Sequence, residues 1–220
     1  KKSYHVERFI SKNFEKKLEE ILKEQKFDIV QIETLFMSPY INTIRKYSKA
    51  KIVLRAHNIE HLIWKRVSEN SNNPLKKFYL KHLADTLEIY ERNIGNEYDG
   101  IVPITAKDAE FFHQITSKPI MPLPFGVDIE KIGTSETIIP EFALFHIGSM
   151  NWIPNEEGIK WFIDNVWPLV EENLPQVKLY LAGREMPDWL LKLDRKNIIV
   201  VGEVENAHQF IQSKLISIAP

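Results

Sequence analysis

Apolar positions along the chain follow two patterns that take turns. Short continuous runs read as buried strands, and longer stretches with apolar residues at helical spacing read as helices. Glu7 to Gln25 carries Ile10, Phe14, Leu18, Ile21 and Leu22 as a helical stripe. Asp28–Glu33 follows as a strand, and Ser38-Pro39 as an N-cap with proline at the first helical position opens a helix to about Tyr47. Lys51–Ala56 is a second strand, and Ile59–Val67 is helical. Asn72-Asn73-Pro74 opens a long helix to about Glu97, with Leu75, Phe78, Tyr79, Leu83, Leu87 and Ile94 as its expected buried stripe. Gly100–Ile104 is a strand, Thr105 with Asp108 resembles a capping box, and Pro119–Pro124 is extended.

Between Phe125 and Phe142 the period is lost and Gly126, Gly133 and Pro140 occur, which reads as a connection between two lobes. Beyond it the alternation resumes. Strands are expected at Ala143–Ile147, Val177–Ala182, Asn197–Val201 and Leu215–Ala219, with helices at Glu156–Asn173, Pro187–Leu193 and Asn206–Ser213. Apolar strands alternating with helices imply parallel sheets covered on both faces. The expected fold class is α/β, with two Rossmann-like lobes at residues 1–128 and 143–220 and a linker at 129–142.

Composition narrows the function classes. The formal charge of −1 gives no global field for nucleic acid. Lysines cluster at Lys1–Lys2, Lys16–Lys17 and Lys76–Lys77–Lys81; solvated helix faces explain them, and weak attraction to anionic lipid is the sharper alternative. With no cysteine, disulfides and thiolate metal sites are excluded, which fits a cytoplasmic protein. No run spans a bilayer and no signal peptide is visible. The chain opens without Met and closes on what reads as a buried strand, so both ends are expected to continue in a longer protein.

Open α/β sheets bind ligands beyond the carboxyl ends of their strands, so those positions carry the candidate chemistry. The second strand ends in Arg55-Ala56-His57-Asn58-Ile59-Glu60-His61. A metal pair would need both histidines on one helix face with a third ligand, and His57 sits before the helix starts. His57 either caps the following helix or contacts a substrate hydroxyl or phosphate. The first strand of the second half ends in Gly148-Ser149-Met150-Asn151-Trp152-Ile153-Pro154-Asn155, with Asn155 as N-cap candidate. Gly148 admits a close backbone approach, and free N–H groups with the helix dipole favour an anion such as diphosphate. A lone glycine after a strand is also what structural turns use. Ala182-Gly183-Arg184-Glu185 and Val201-Gly202-Glu203-Val204 repeat the theme. Arg184 could bridge phosphate oxygens or pair with Glu185 or Asp188. Trp161 and Trp167 are explained by helix packing, whereas Trp152 and Trp189 leave sugar stacking open.

In this order the strand ends resemble those of family 4 glycosyltransferases. The segments that carry the resemblance are Arg55–His61, Pro124-Phe125-Gly126-Val127-Asp128, Gly148–Gly158, Leu181–Arg184 and Val201–Val204. The resemblance implies a GT-B fold and a metal-independent, cofactor-free, retaining hexosyl transfer from a UDP-sugar or GDP-sugar to a glycan or lipid-linked acceptor hydroxyl. The setting it implies is polysaccharide or lipopolysaccharide assembly, in the cytoplasm or peripherally at the inner membrane face. It puts donor phosphates at Gly148 and Ser149 and the base near Gly202, Glu203 and Val204. It matches His57 to the family histidine near the transferred sugar. Many relatives carry Arg and Lys after the glycine loop; here Met150–Asn155 has no cation, and Arg184 is the expected substitute. The family's paired-glutamate segment is expected after Pro220 and its glycine-rich acceptor loop before Lys1, so the 220 residues alone are expected not to turn over. A nucleotide-sugar epimerase, a glycan phosphorylase and a degenerate non-catalytic binding module are the rival readings.

Overall fold

The first half of the chain builds its sheet from three parallel strands, β1 (Ile29–Ile32), β2 (Lys51–Ala56) and β3 (Gly100–Pro103), in that spatial order. The computed structural model describes residues 3–127 and 139–220 and divides into two compact units, Lys1–Gly126 and Val127–Pro220. Asp128 and most of the expected 129–142 linker lie outside the described residues. Both units are parallel-sheet α/β structures of the Rossmann kind.

In unit 1, β2 is central, and Ile52, Leu54 and Ala56 are buried together with Ile32, Ile101 and Phe112. The extended segment after Pro119 lies along β3: Met121 N–H donates to the Ile101 carbonyl at 3.1 Å and Leu123 N–H to that of Pro103 at 2.8 Å. Helices α1 (Tyr4–Glu7) and α2 (Lys12–Glu24) replace the single expected first helix, because Ser11 caps α2 by accepting from Phe14 N–H. Only Leu22 of the expected α2 stripe is buried, and Ile10 and Phe14 are exposed. Ser38 is not an N-cap. It lies in a 3-10 helix (Leu35–Tyr40), where its hydroxyl donates to the Leu35 carbonyl, ahead of α3 (Ile41–Tyr47).

An antiparallel pair, α4 (Glu60–Glu69) and α5 (Pro74–Ile94), follows β2, and α6 (Ala106–Ile115) follows β3. Asn73 caps α5 by accepting from Leu75 and Lys76 N–H. Its buried face runs through Leu80, Leu83, Ala84, Leu87 and Glu91. Leu75, Phe78 and Tyr79 are instead exposed: side chains on every side of the first turns face solvent, so periodicity counted from Leu75 selects a stripe that has nothing to pack against.

Unit 2 has β4 (Glu141–Ile147), β5 (Leu179–Ala182), β6 (Ile198–Gly202) and β7 (Lys214–Ser217), all parallel, in the order β6-β5-β4-β7. The chain moves outward from β4 to β5 to β6 and then returns to β4's other side, so β4 and β7 flank a topological switch point. Helix α7 (Ile153–Asn165) packs Ile159, Phe162 and Ile163 onto Leu179 and Leu181. The expected 156–173 helix breaks at Val166. Pro168, which lacks an N–H, sits in the first turn of a separate helix α8 (Trp167–Asn173). Short helices α9 (Asp188–Leu191) and α10 (Ala207–Gln212) complete the unit.

Candidate active site

The carboxyl ends of β4, β5 and β6 each finish at a glycine, and the three are stitched together. Gly148 N–H donates to the Ala182 carbonyl at 3.1 Å, and Gly183 N–H donates to that of Gly202 at 2.8 Å. Gly183 has φ +141°, and a Cβ there would overlap the Gly148 carbonyl oxygen, so the two strand ends close only on glycine. Gly202 also has positive φ, at +78°. The loop after Gly148 is held from both sides. Asn155 Nδ2 donates to the Ser149 carbonyl at 3.0 Å, the Ser149 hydroxyl donates to Asn151 Oδ1 at 2.8 Å, and Asn151 Nδ2 donates to Glu185 at 2.6 Å.

Helix α7 begins at this loop with Trp152, not Asn155, as its N-cap, and Trp152 supplies no side-chain cap. Asn155 is drawn into the first turn by its bond to Ser149. The helix start therefore presents an uncapped N-terminus beside a glycine at a switch point, which suits an anion. Arg184 Nε donates to Glu203 at 2.8 Å across the β5 and β6 ends, with both side chains exposed. It pairs with Glu203 and not with Glu185 or Asp188. Val204 follows in the same turn. Trp167 is fully buried and Trp161 is exposed, so packing accounts for the first alone. Trp189 donates to Glu156 at 2.7 Å.

In unit 1 the sheet end gathers a second constellation. His57, just past β2, lies with Nε2 3.0 Å from the carboxylate of Glu33, just past β1. Hydrogen bonds from His57 first and Gln31 second hold the Glu33 carboxyl below its ordinary pKa. Phe125 meets the His57 ring edge-on at 5.7 Å between centroids. Arg55 is buried, donates to the Leu123 carbonyl at 2.6 Å and lies over the Phe125 ring at 5.3 Å. The arrangement is a carboxylate-oriented imidazole on a rigid sheet edge, able to accept or pass a proton. Sequence reasoning passed over Glu33; its place directly after β1, the strand paired in parallel with the β2 that carries His57 at its end, was the available signal.

His61, four residues on, has a different task. Its Nδ1 lies 2.6 Å from Glu91 of α5, and both groups are buried. The same carboxylate accepts from the backbone N–H of Glu60 at 3.1 Å and of His61 at 3.2 Å, so Glu91 caps α4 from another helix. Among the described residues no group of three or more His, Cys, Asp or Glu side chains is arranged to hold a metal ion.

Residues 141–220 match the glycosyl transferases group 1 family. The match covers all the described strands of unit 2 and the loop at Gly148. A Klebsiella pneumoniae protein described as an uncharacterized 44.6 kDa protein in the cps region is 23% identical over 171 residues, 76% of this chain and 42% of that one. Among solved structures, TarM superposes with a TM-score of 0.60 at 15% identity, over 89% of this chain and 37% of that one. A trehalose-6-phosphate synthase, solved for insight into enzymatic glycosyltransfer with retention, gives 0.53 at 11% identity over 91% and 53%. The fold is therefore that of GT-B glycosyltransferases, and residues 141–220 carry the likeness to the group 1 family. The chain spans less than half the length of the Klebsiella protein. Among the described residues no helix is long and apolar enough to cross a membrane.

Proposed function

We propose that the protein transfers a hexose, with retention, from a UDP-sugar or GDP-sugar to an acceptor hydroxyl in polysaccharide or lipopolysaccharide assembly. The observation that carries this is the glycine-closed switch point of unit 2, where Gly148 and Ser149 meet the uncapped start of α7. Donor diphosphate is assigned there, and the base to Gly202, Glu203 and Val204. The Gly148 N–H is given to the Ala182 carbonyl, so the donors assigned to the diphosphate are the N–H groups of Ser149 and Ile153; fixed before reaction, they stabilise charge that grows on the leaving diphosphate as the anomeric bond breaks. The acceptor proton passes to that departing phosphate. His57, oriented by Glu33, contacts the transferred sugar or the acceptor and is the residue assigned to catalysis. Arg184 is a reserve phosphate contact, reached by releasing Glu203. Two things support the retaining outcome: the resemblance of the strand-end segments, and the likeness in fold to the trehalose-6-phosphate synthase, an enzyme of glycosyltransfer with retention. Turnover is assigned to the full-length protein, and the 220 residues alone are expected to show none.

A peripheral contact with an anionic membrane face belongs to the same reading. It is supported by the start of α5, where Leu75, Phe78 and Tyr79 are 82%, 77% and 55% exposed beside Lys76, Lys77 and Lys81. The test of the function is calorimetric titration of the full-length protein with UDP and GDP beside Gly148→Val. Saturable binding of one nucleotide, lost in the variant, is expected. A folded wild-type protein that binds neither would refute the enzyme reading.

A further inference from the structure

The loop after Gly148 carries no cation, and Arg184, the substitute expected from sequence, is engaged with Glu203. A buried histidine lies beneath the same loop. His146, the next-to-last residue of β4, is 8% exposed. Its Nδ1 lies 3.2 Å from the carbonyl oxygen of Ile218, just past β7. A carbonyl only accepts, so Nδ1 carries the ring hydrogen. With the hydrogen on Nδ1, His146 turns a bare lone pair at Nε2 toward Gly148, and that atom is buried with no hydrogen-bond partner among the described residues. Its direction is fixed by Gly148: a Cβ at that position would lie 3.0 Å from His146 Nε2 and 3.0 Å from Asn155 Nδ2. Both groups pack against the bare face of Gly148, at the switch point and at the start of α7. An unpaired buried nitrogen is costly, and a native structure keeps one where a ligand or a proton satisfies it.

We propose that His146 is the cationic ligand of the donor's diphosphate. The neutral ring opposes a phosphate oxygen with its lone pair; a proton taken from solvent onto Nε2 converts the contact into a charge-assisted hydrogen bond. The dianionic ligand and the proton thus enter the site together. The charged groups on the surrounding elements are already partnered: Glu156 of α7 by Trp189, Glu185 by Asn151, Arg184 by Glu203, and Lys214 of β7 by Glu141. The inference rests on the donor site proposed above and adds the residue that neutralises its ligand.

The experiment uses the full-length protein with UDP and GDP as probes. Calorimetry near neutral pH in two buffers of different ionisation enthalpy counts protons, and 15N-histidine NMR reads the His146 ring directly. Wild type is expected to take up about one proton on binding, and His146 to change from the neutral Nδ1–H tautomer to the imidazolium in the saturated complex. His146→Phe, which keeps the volume, is expected to bind about tenfold to hundredfold more weakly, without proton uptake. His146→Gln, which keeps a donor, is expected to recover part of the affinity and none of the uptake. Equal affinity in His146→Phe, or a ring that stays neutral in the saturated wild-type complex, overturns the proposal. The NMR readout holds even if a variant does not fold. If Gly148→Val abolishes binding while His146→Phe does not, the donor site stands and this inference alone falls. If wild type binds neither nucleotide, both fall.

Discussion

Glu60 is a carboxylate in the wrong place, and replacing it with glutamine stabilises unit 1 at alkaline pH. The residue opens α4, where the Glu91 carboxylate already accepts from the Glu60 and His61 amides. Burial first, and the Glu91 charge second, push the Glu60 carboxyl from 4.5 up to about 7. The folded protein thus holds a proton that the unfolded chain releases. The penalty is absent well below the unfolded pKa, grows as pH rises from 4.5 through about 7, and is constant above that. At about 1.4 kcal/mol per pKa unit the full effect is on the order of 3 kcal/mol. The positive end of α4 favours a charged side chain by roughly 0.3–1 kcal/mol, which glutamine forgoes. Glu60→Gln is therefore expected to gain about 2 kcal/mol at about pH 8 and less than about 1 kcal/mol at about pH 5. Urea unfolding followed by hydrogen exchange of the β2–α4 amides measures unit 1 separately from unit 2. A difference between variant and wild type that is the same at both pH values would refute the reasoning, because only titration of this carboxyl makes it vary.

Glu91→Ala removes the cap of α4 and the partner of buried His61 together, and is expected to cost about 3 kcal/mol in the same unfolding assay. Gly183→Ala places a Cβ into the Gly148 carbonyl at positive φ, and is expected to cost more than about 2 kcal/mol and to abolish nucleotide binding by calorimetry. Glu33→Gln in the full-length protein is expected to lower kcat by about tenfold to hundredfold, with donor affinity unchanged, since the carboxylate acts through His57; an equal loss in donor affinity would count against that role. Replacing Leu75 and Phe78 by serine is expected to weaken sedimentation with vesicles containing anionic lipid by about tenfold, and to leave unfolding in urea unchanged because both side chains are exposed.

The parts of this protein that could be read from sequence are those set by single-residue backbone chemistry or by uninterrupted apolar runs. β2 runs from Lys51 to Ala56 as expected, because a central parallel strand is covered on both faces and its apolar run is nearly continuous, with Ile52, Leu54 and Ala56 buried. Asn73 and Thr105 cap as expected, because capping is decided within three residues. What stayed hidden depends on contacts far along the chain. Glu91 caps α4 from 31 residues away, Glu33 orients His57 across 24, and the Ile218 carbonyl selects the His146 tautomer across 72. None of these pairs has a local signature, since each partner alone looks like an ordinary helix or strand residue. The glycines after β4, β5 and β6 were legible as a series, yet the reason Gly183 must be glycine is the carbonyl of Gly148, on a different strand. Local chemistry thus marks where the chain turns toward the site, while the polar groups that give the site its charge and its proton are selected by strand order. β4 and β7 become neighbours only in the folded sheet, and His146 can donate to the Ile218 carbonyl, leaving Nε2 against Gly148, only once they have done so.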